Sequence, residues 1–186
     1  MRKLIICATV ASLTVLACFD DPPTGPGTEP YPEPTSPRDV LRNVEMSFNR
    51  YDVDRLKAML ATSFVFYFDP NDVGQSPPGK SYVIPESWSY TEFWSAVGNM
   101  LELAHSVSLT INKDGVGEPD PEARVYKAER VTIRILVMID ELNGFIAGEV
   151  GYCNFAFESY DGEGGKKLWR LTGWWDRTAG GGDAAA

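Results

Sequence analysis

His105 is the only histidine in the chain, and so the only side chain whose unperturbed pKa lies near neutrality. A general base at this position is conceivable. The residue also follows Glu102-Leu103-Ala104 at the end of a helical pattern, where a histidine complements the helix dipole and the free carbonyls. The second role is the one favoured here. Tyr67 and Asp69 are the other acid–base candidates. They sit at the end of the aromatic run Phe64-Val65-Phe66-Tyr67-Phe68 and just beyond it.

Metal chemistry has little support. Asp69-Pro70-Asn71-Asp72-Val73-Gly74 looks like a calcium loop at first sight, but its acids have the wrong spacing and no bidentate glutamate stands at the twelfth position. One histidine with one cysteine in the body of the chain is too few for zinc. No phosphate-cradling glycine motif and no nucleophile elbow is present, so neither a metal nor a cofactor is expected. Cys153 lies in a strand-like segment without a basic neighbourhood and reads as a small buried residue.

The aromatic residues are the largest remaining signal. Trp174, with Phe64, Phe66, Tyr67, Phe68, Trp88, Trp94, Trp169 and Trp175, could line an apolar pocket, although aromatics more often serve as core. Trp174 and Trp175 are neighbours on a strand and must point to opposite faces. Tyr67, Asp69, His105 and Trp174 are thus the ligand-pocket candidates.

The start of the chain carries an address. Met1-Arg2-Lys3 is positive, Leu4 to Leu16 is uncharged and apolar, and Val15-Leu16-Ala17-Cys18 follows. This is a secretory signal pattern, too short to span a bilayer as a mature helix. Its end resembles the lipobox of bacterial lipoproteins. The resemblance implies cleavage after residue 17, lipid on Cys18, and a bacterial cell-envelope location, in the outer membrane where the cell has two. Residues 18–36 are rich in proline and glycine and read as an extended tether. Residues 37–178 form one domain, and the Gly- and Ala-rich 179–186 reads as a disordered tail.

Seventeen basic residues stand against 26 acidic ones, a formal charge of -9, and loss of Arg2 and Lys3 with the leader makes it more negative. Such a surface repels phosphate backbones, so no nucleic-acid partner is expected. The membrane is expected as a partner through the lipid alone.

The candidate residues need elements to hold them. Ser36-Pro37-Arg38-Asp39 opens a helix with Val40, Leu41, Val44 and Phe48 at helical spacing. Asp52 caps a short second helix, and Ser89-Tyr90-Thr91-Glu92 is a capping box for a third. Phe64–Phe68 reads as a strand, Asp69 to Pro85 as a long polar loop. Alternation marks strands through Val107–Ile111, Arg130–Ile139, Phe145–Ser159 and Lys167–Asp176, with Asn143-Gly144 as a hairpin turn. Helices segregated from an antiparallel sheet make an α+β domain.

This order resembles the nuclear transport factor 2-like superfamily, which includes ketosteroid isomerase and the SnoaL-like cyclases. The residues that carry the likeness are Phe48-Asn49-Arg50-Tyr51-Asp52-Val53-Asp54, Leu60-Ala61-Thr62-Ser63-Phe64-Val65-Phe66, and Leu168-Trp169-Arg170-Leu171-Thr172-Gly173-Trp174-Trp175-Asp176. Phe66-Tyr67-Phe68, Pro85-Glu86-Ser87-Trp88 and Asn99-Met100 look like a group of exported lipoproteins with this fold. The resemblance implies a curved antiparallel sheet wrapping helices into a cone with a pocket. Against the isomerases, the tyrosine donor position falls on Val44 and the base position on Phe68, one residue from Asp69. A one-residue slip in a strand reverses a side chain, which disfavours isomerase chemistry. The expectation is an exported, non-catalytic domain binding a small hydrophobic ligand or a protein partner. The alternatives are a SnoaL-like enzyme using Asp69, His105 or Tyr67, and a structural homodimer joined through the sheet face.

Overall fold

Ser36 ends an extended segment and starts the first helix. Its side-chain oxygen accepts from the Asp39 N–H at 3.1 Å, and Pro37 occupies the first helical position, where a missing N–H costs nothing. The computed structural model describes residues 29–76, 81–140 and 145–177. Within them α1 spans Pro37–Asn49 and α2 spans Val53–Met59, the latter capped by Asp52, which accepts from the Arg55 N–H at 2.9 Å. The third helix, α3, spans Tyr90–Leu103. At its start the Glu92 carboxylate accepts from both the N–H and the hydroxyl of Ser89, at 2.8 and 2.6 Å. All three starts follow the cap residues read from the sequence.

Among the described residues six strands form one sheet: β1 Leu60–Tyr67, β2 Ser87–Ser89, β3 Ser106–Ile111, β4 Val125–Asp140, β5 Phe145–Asp161 and β6 Lys167–Arg177, in the order β2-β1-β6-β5-β4-β3. The last four strands run in hairpin order, as their alternation predicts. The Asn143-Gly144 turn itself lies outside the described residues, as do Cys18, the leader and the tail after 178. The sheet is mixed rather than wholly antiparallel, because β1 pairs with β6 in parallel. Short turns force antiparallel neighbours, whereas β1 and β6 are far apart in sequence and no hairpin constrains them. The three-residue β2 follows the loop read as ending at Pro85 and runs into the Ser89 cap, being too short for alternation to show.

The helices cover one face of this sheet. Val40, Leu41, Val44 and Phe48 of α1, Leu56 of α2, and Phe93, Val97 and Leu101 of α3 are buried with Leu109, Val131, Phe155, Phe157 and Leu171 of the strands. The result is an α+β cone on three helices from the N-terminal half.

Residues 29–36, expected as free tether, lie against this body. Pro34 is buried and its carbonyl accepts from the Trp169 N–H at 2.8 Å. The Pro32 carbonyl accepts from Asn43, buried in α1, and from Arg55, at 2.9 and 3.2 Å. Glu33 pairs with Lys166, and Glu29 with Arg42. The packed unit therefore begins before Pro37. Proline-rich composition sets stiffness, but it does not exclude docking where carbonyls meet unpaired donors.

Candidate functional site

Inside the cone, aromatic rings meet one another. Phe66 stacks on Phe93 of α3 with centroids 5.3 Å apart, and Trp174 stands edge-on to Phe66 at 5.8 Å. Trp174 also meets Phe155 at 5.1 Å, and Phe64 meets Phe93 at 5.0 Å. Phe68 and Trp88 extend the cluster towards the β2 edge, 4.6 Å apart. Phe64, Phe155 and Trp174 are at most 5 % exposed. The space between α3 and the sheet is thus occupied by the chain's own rings. One polar atom in it is orphaned: the indole Nε1 of Trp174 is buried without a hydrogen-bond partner among the described residues.

The four pocket candidates do not converge. Trp174 points inward, whereas Tyr67 lies on the opposite face of the sheet, stacked on Trp175 with centroids 5.0 Å apart and ring planes 2° from parallel. The opposed directions of Trp174 and Trp175 are those the strand period requires. Asp69 is buried, and its carboxylate accepts from the Asn71 N–H at 2.8 Å while its carbonyl accepts from Asp72 and Val73. It holds the turn that follows β1. His105 is exposed, in the link from α3 to the edge strand β3, with its backbone N–H donating to the Met138 carbonyl at 2.7 Å. Cys153 is fully buried on β5. Among the described residues no three acids, histidines or cysteines gather as metal ligands.

A concavity on the surface of the described residues lies elsewhere. A groove of about 580 Å³ runs beside the α1–α2 turn, between Tyr31 and residues 50–54, with Lys57 at its side. The guanidinium groups of Arg50 and Arg55 both stand over the Tyr31 ring, each 4.9 Å from its centroid. Burial, and then the neighbouring negative Asp52, push the Tyr31 phenol above its usual pKa. Lys57 sits over the Trp94 ring at 4.0 Å and near Asp54 at 3.6 Å. Sequence reasoning missed this groove because Tyr31 falls in the proline-rich segment. The available signal was Tyr51, a bulky residue in a short link between two helices.

No family model matches the chain, and no curated protein matches it. Solved structures do. A conserved protein from Planctomyces limnophilus is 16 % identical with a TM-score of 0.50, the match covering 74 % of this chain and 89 % of that one. A nuclear transport factor 2-like superfamily protein from Salmonella enterica is 12 % identical with a TM-score of 0.50, covering 80 % and 94 %. The hexachlorocyclohexane dehydrochlorinase LinA-type3 from Novosphingobium barchaimii is 10 % identical with a TM-score of 0.52, covering 76 % and 83 %. At such identities the likeness is one of fold, and the chain has the cone fold of the nuclear transport factor 2-like proteins.

Proposed function

We propose that this chain is a non-catalytic binding domain, held at the bacterial cell envelope by lipid on Cys18, which engages a protein partner through its outer surface. The observation that carries the non-catalytic part is the ring cluster of Phe66, Phe93, Phe155 and Trp174, which takes up the interior where a cone-fold catalyst would seat its substrate. The acid–base candidates support the same reading. Asp69 spends its carboxylate on a turn, and His105 is exposed beside the edge strand. Proton transfer needs a base within hydrogen-bond reach of the reacting group, and these two residues define no such shared point. The dehydrochlorinase shares the fold, but a fold hosts catalysts and binders alike. Anchoring rests on the sequence before Cys18 and on the lipobox resemblance.

A second reading, a small apolar ligand, is favoured by one observation. The Trp174 Nε1–H has no acceptor inside the cluster, and a ligand oxygen would supply one.

Native mass spectrometry of the chain expressed without residues 1–28 separates the two. A spectrum at the bare polypeptide mass supports the outer-surface reading, and a stoichiometric apolar adduct supports the ligand. Anchoring is tested apart from this: Cys18→Ser should move the full-length protein from the membrane to the soluble fraction. Unchanged partitioning would remove the lipid from the proposal.

A further inference from the structure

We infer that the end of α1 and the turn after it seal the open edge of β3, and that this seal keeps the chain from adding a second copy of itself there. The last strand at its end of the sheet, β3 is paired, among the described residues, on one side only, with β4. Alternate residues of such a strand turn their N–H and C=O groups away from the sheet, and a bare row of them is a template for another strand. In β3 these residues are Val107, Leu109 and Ile111.

Each of their N–H groups meets a side chain from the stretch 45–51. The Tyr51 hydroxyl oxygen accepts from Val107 N–H at 2.9 Å, Asn49 Oδ1 from Leu109 N–H at 2.7 Å, and Glu45 Oε2 from Ile111 N–H at 2.8 Å. Two outward carbonyls are met as well. Asn49 Nδ2 donates to the Leu109 carbonyl at 2.9 Å, and Lys113 Nζ, ion-paired with Glu45, donates to that of Ile111 at 2.8 Å. The Asn49 amide thus gives one donor and one acceptor to a single residue, as the backbone of a paired strand would.

The spacing makes this possible. Glu45 and Asn49 are four residues apart on one helix face, a rise of about 6 Å. Their targets are two residues apart on β3, about 6.7 Å. Helix and strand are therefore nearly commensurate over this length. The helix ends at Asn49, so the next contact has to come from the turn. Tyr51 supplies it from a left-handed backbone, φ 58°, a region that side-chain-bearing residues rarely adopt. From there its hydroxyl reaches Val107 and also donates to the His105 carbonyl at 3.3 Å. The left-handed tyrosine is explained if its hydroxyl is needed on the edge. An unsealed β3 would face an identical β3 about a two-fold axis, and antiparallel pairing is self-complementary in that arrangement.

The test uses the soluble full chain carrying Cys18→Ser. Amide exchange measured by NMR should show Val107, Leu109 and Ile111 protected in spite of their edge position. Tyr51→Phe should speed exchange at Val107 at least tenfold and leave Leu109 and Ile111 unchanged, and Asn49→Ala should do the same at Leu109 alone. The triple variant Glu45→Ala, Asn49→Ala, Tyr51→Phe should sediment as a larger, concentration-dependent species than the parent. Rapid exchange of all three amides in the parent overturns the seal. A triple variant with the parent's circular dichroism and the parent's sedimentation overturns the claim that the seal prevents self-pairing.

Discussion

The backbone N–H of Trp169 donates to the carbonyl of Pro34 at 2.8 Å, which fastens the proline-rich segment to β6. The same segment supplies the Pro32 carbonyl to Asn43, a polar side chain with no exposure, and the Tyr31 ring to Arg50 and Arg55. A chain begun at Pro37 leaves the Trp169 N–H and the Asn43 amide without these acceptors. Each buried group so orphaned costs about 1–3 kcal/mol. A fragment from Ser36, which lacks the same acceptors but keeps the cap of α1, should therefore be less stable than one from Glu29 by about 3 kcal/mol, summed over the two donors. Urea denaturation of both fragments measures this, and equal midpoints would show that the segment only rests on the surface.

On the outer face, Trp175 lies over Gly173 as well as against Tyr67. A Cβ built on Gly173 would stand 2.5 Å from the far ring carbon of Trp175. Gly173→Ala should push that ring off Tyr67 and forfeit a stacked pair, a loss of about 1 kcal/mol. The same substitution in a Tyr67→Ala background should cost less, because the stack is already gone. A double-mutant cycle with tryptophan fluorescence reads both effects, and strict additivity would mean that Gly173 and Tyr67 do not share Trp175.

Much of this architecture was legible in the sequence, for local reasons. Ser36 and Asp52 cap helices because their side chains reach backbone N–H groups three residues on, and Ser89 because its N–H and hydroxyl meet the Glu92 carboxylate at the same spacing, so the signal sits in nearby positions. The alternation along β3 to β6 shows because one face of each strand meets the helices and the other does not. What was not legible depends on partners distant in sequence. The parallel pairing of Phe66 with Trp174 has no turn to announce it. The docking of Pro34 on Trp169 depends on where β6 ends up. For the candidate site, Phe64, Phe66, Phe68, Trp88 and Trp174 meet inside the cone while Tyr67 and Trp175 stack outside it, and whether rings line a cavity or fill it is decided by packing across β1, β5, β6 and α3 together.

The start of α3 should respond to pH. Both hydrogen bonds from Ser89 go to the ionised Glu92, and they hold its carboxyl below the ordinary value of 4.5, the hydroxyl's bond acting more strongly than the backbone's. A carboxyl whose pKa is lowered by folding stabilises the folded state above its unfolded pKa. That stabilisation is lost as pH falls through the folded value. The chain should therefore lose stability on acidification from about 4.5 downwards through this group, and Glu92→Gln should flatten that part of the profile. Thermal melts of parent and variant at successive pH values check the sign. A variant with the parent's slope would remove Glu92 from the account.

Asp69 and His105 decide between a binder and a catalyst. Asp69 accepts from the Asn71 N–H, and an asparagine side chain carries an oxygen that can do the same. Asp69→Asn should leave stability nearly unchanged, while Asp69→Ala should cost about 1 kcal/mol by taking the acceptor away. His105 is exposed at the end of α3, so His105→Gln should cost at most about 1 kcal/mol, the size of a helix-dipole contribution. A catalytic pair behaves otherwise: either change would keep the fold and remove turnover by a factor of about 10² or more. Assays across hydrophobic ketones, esters and halogenated substrates, with the parent and the Asp69→Asn and His105→Gln variants side by side, make the comparison. Partner binding retained in both variants, with no turnover in the parent, fits a domain whose polar residues hold turns and whose rings fill its core. Turnover in the parent that disappears in either variant would mean that a substrate reaches one of these groups in a geometry the free chain does not adopt, and the non-catalytic reading would fall.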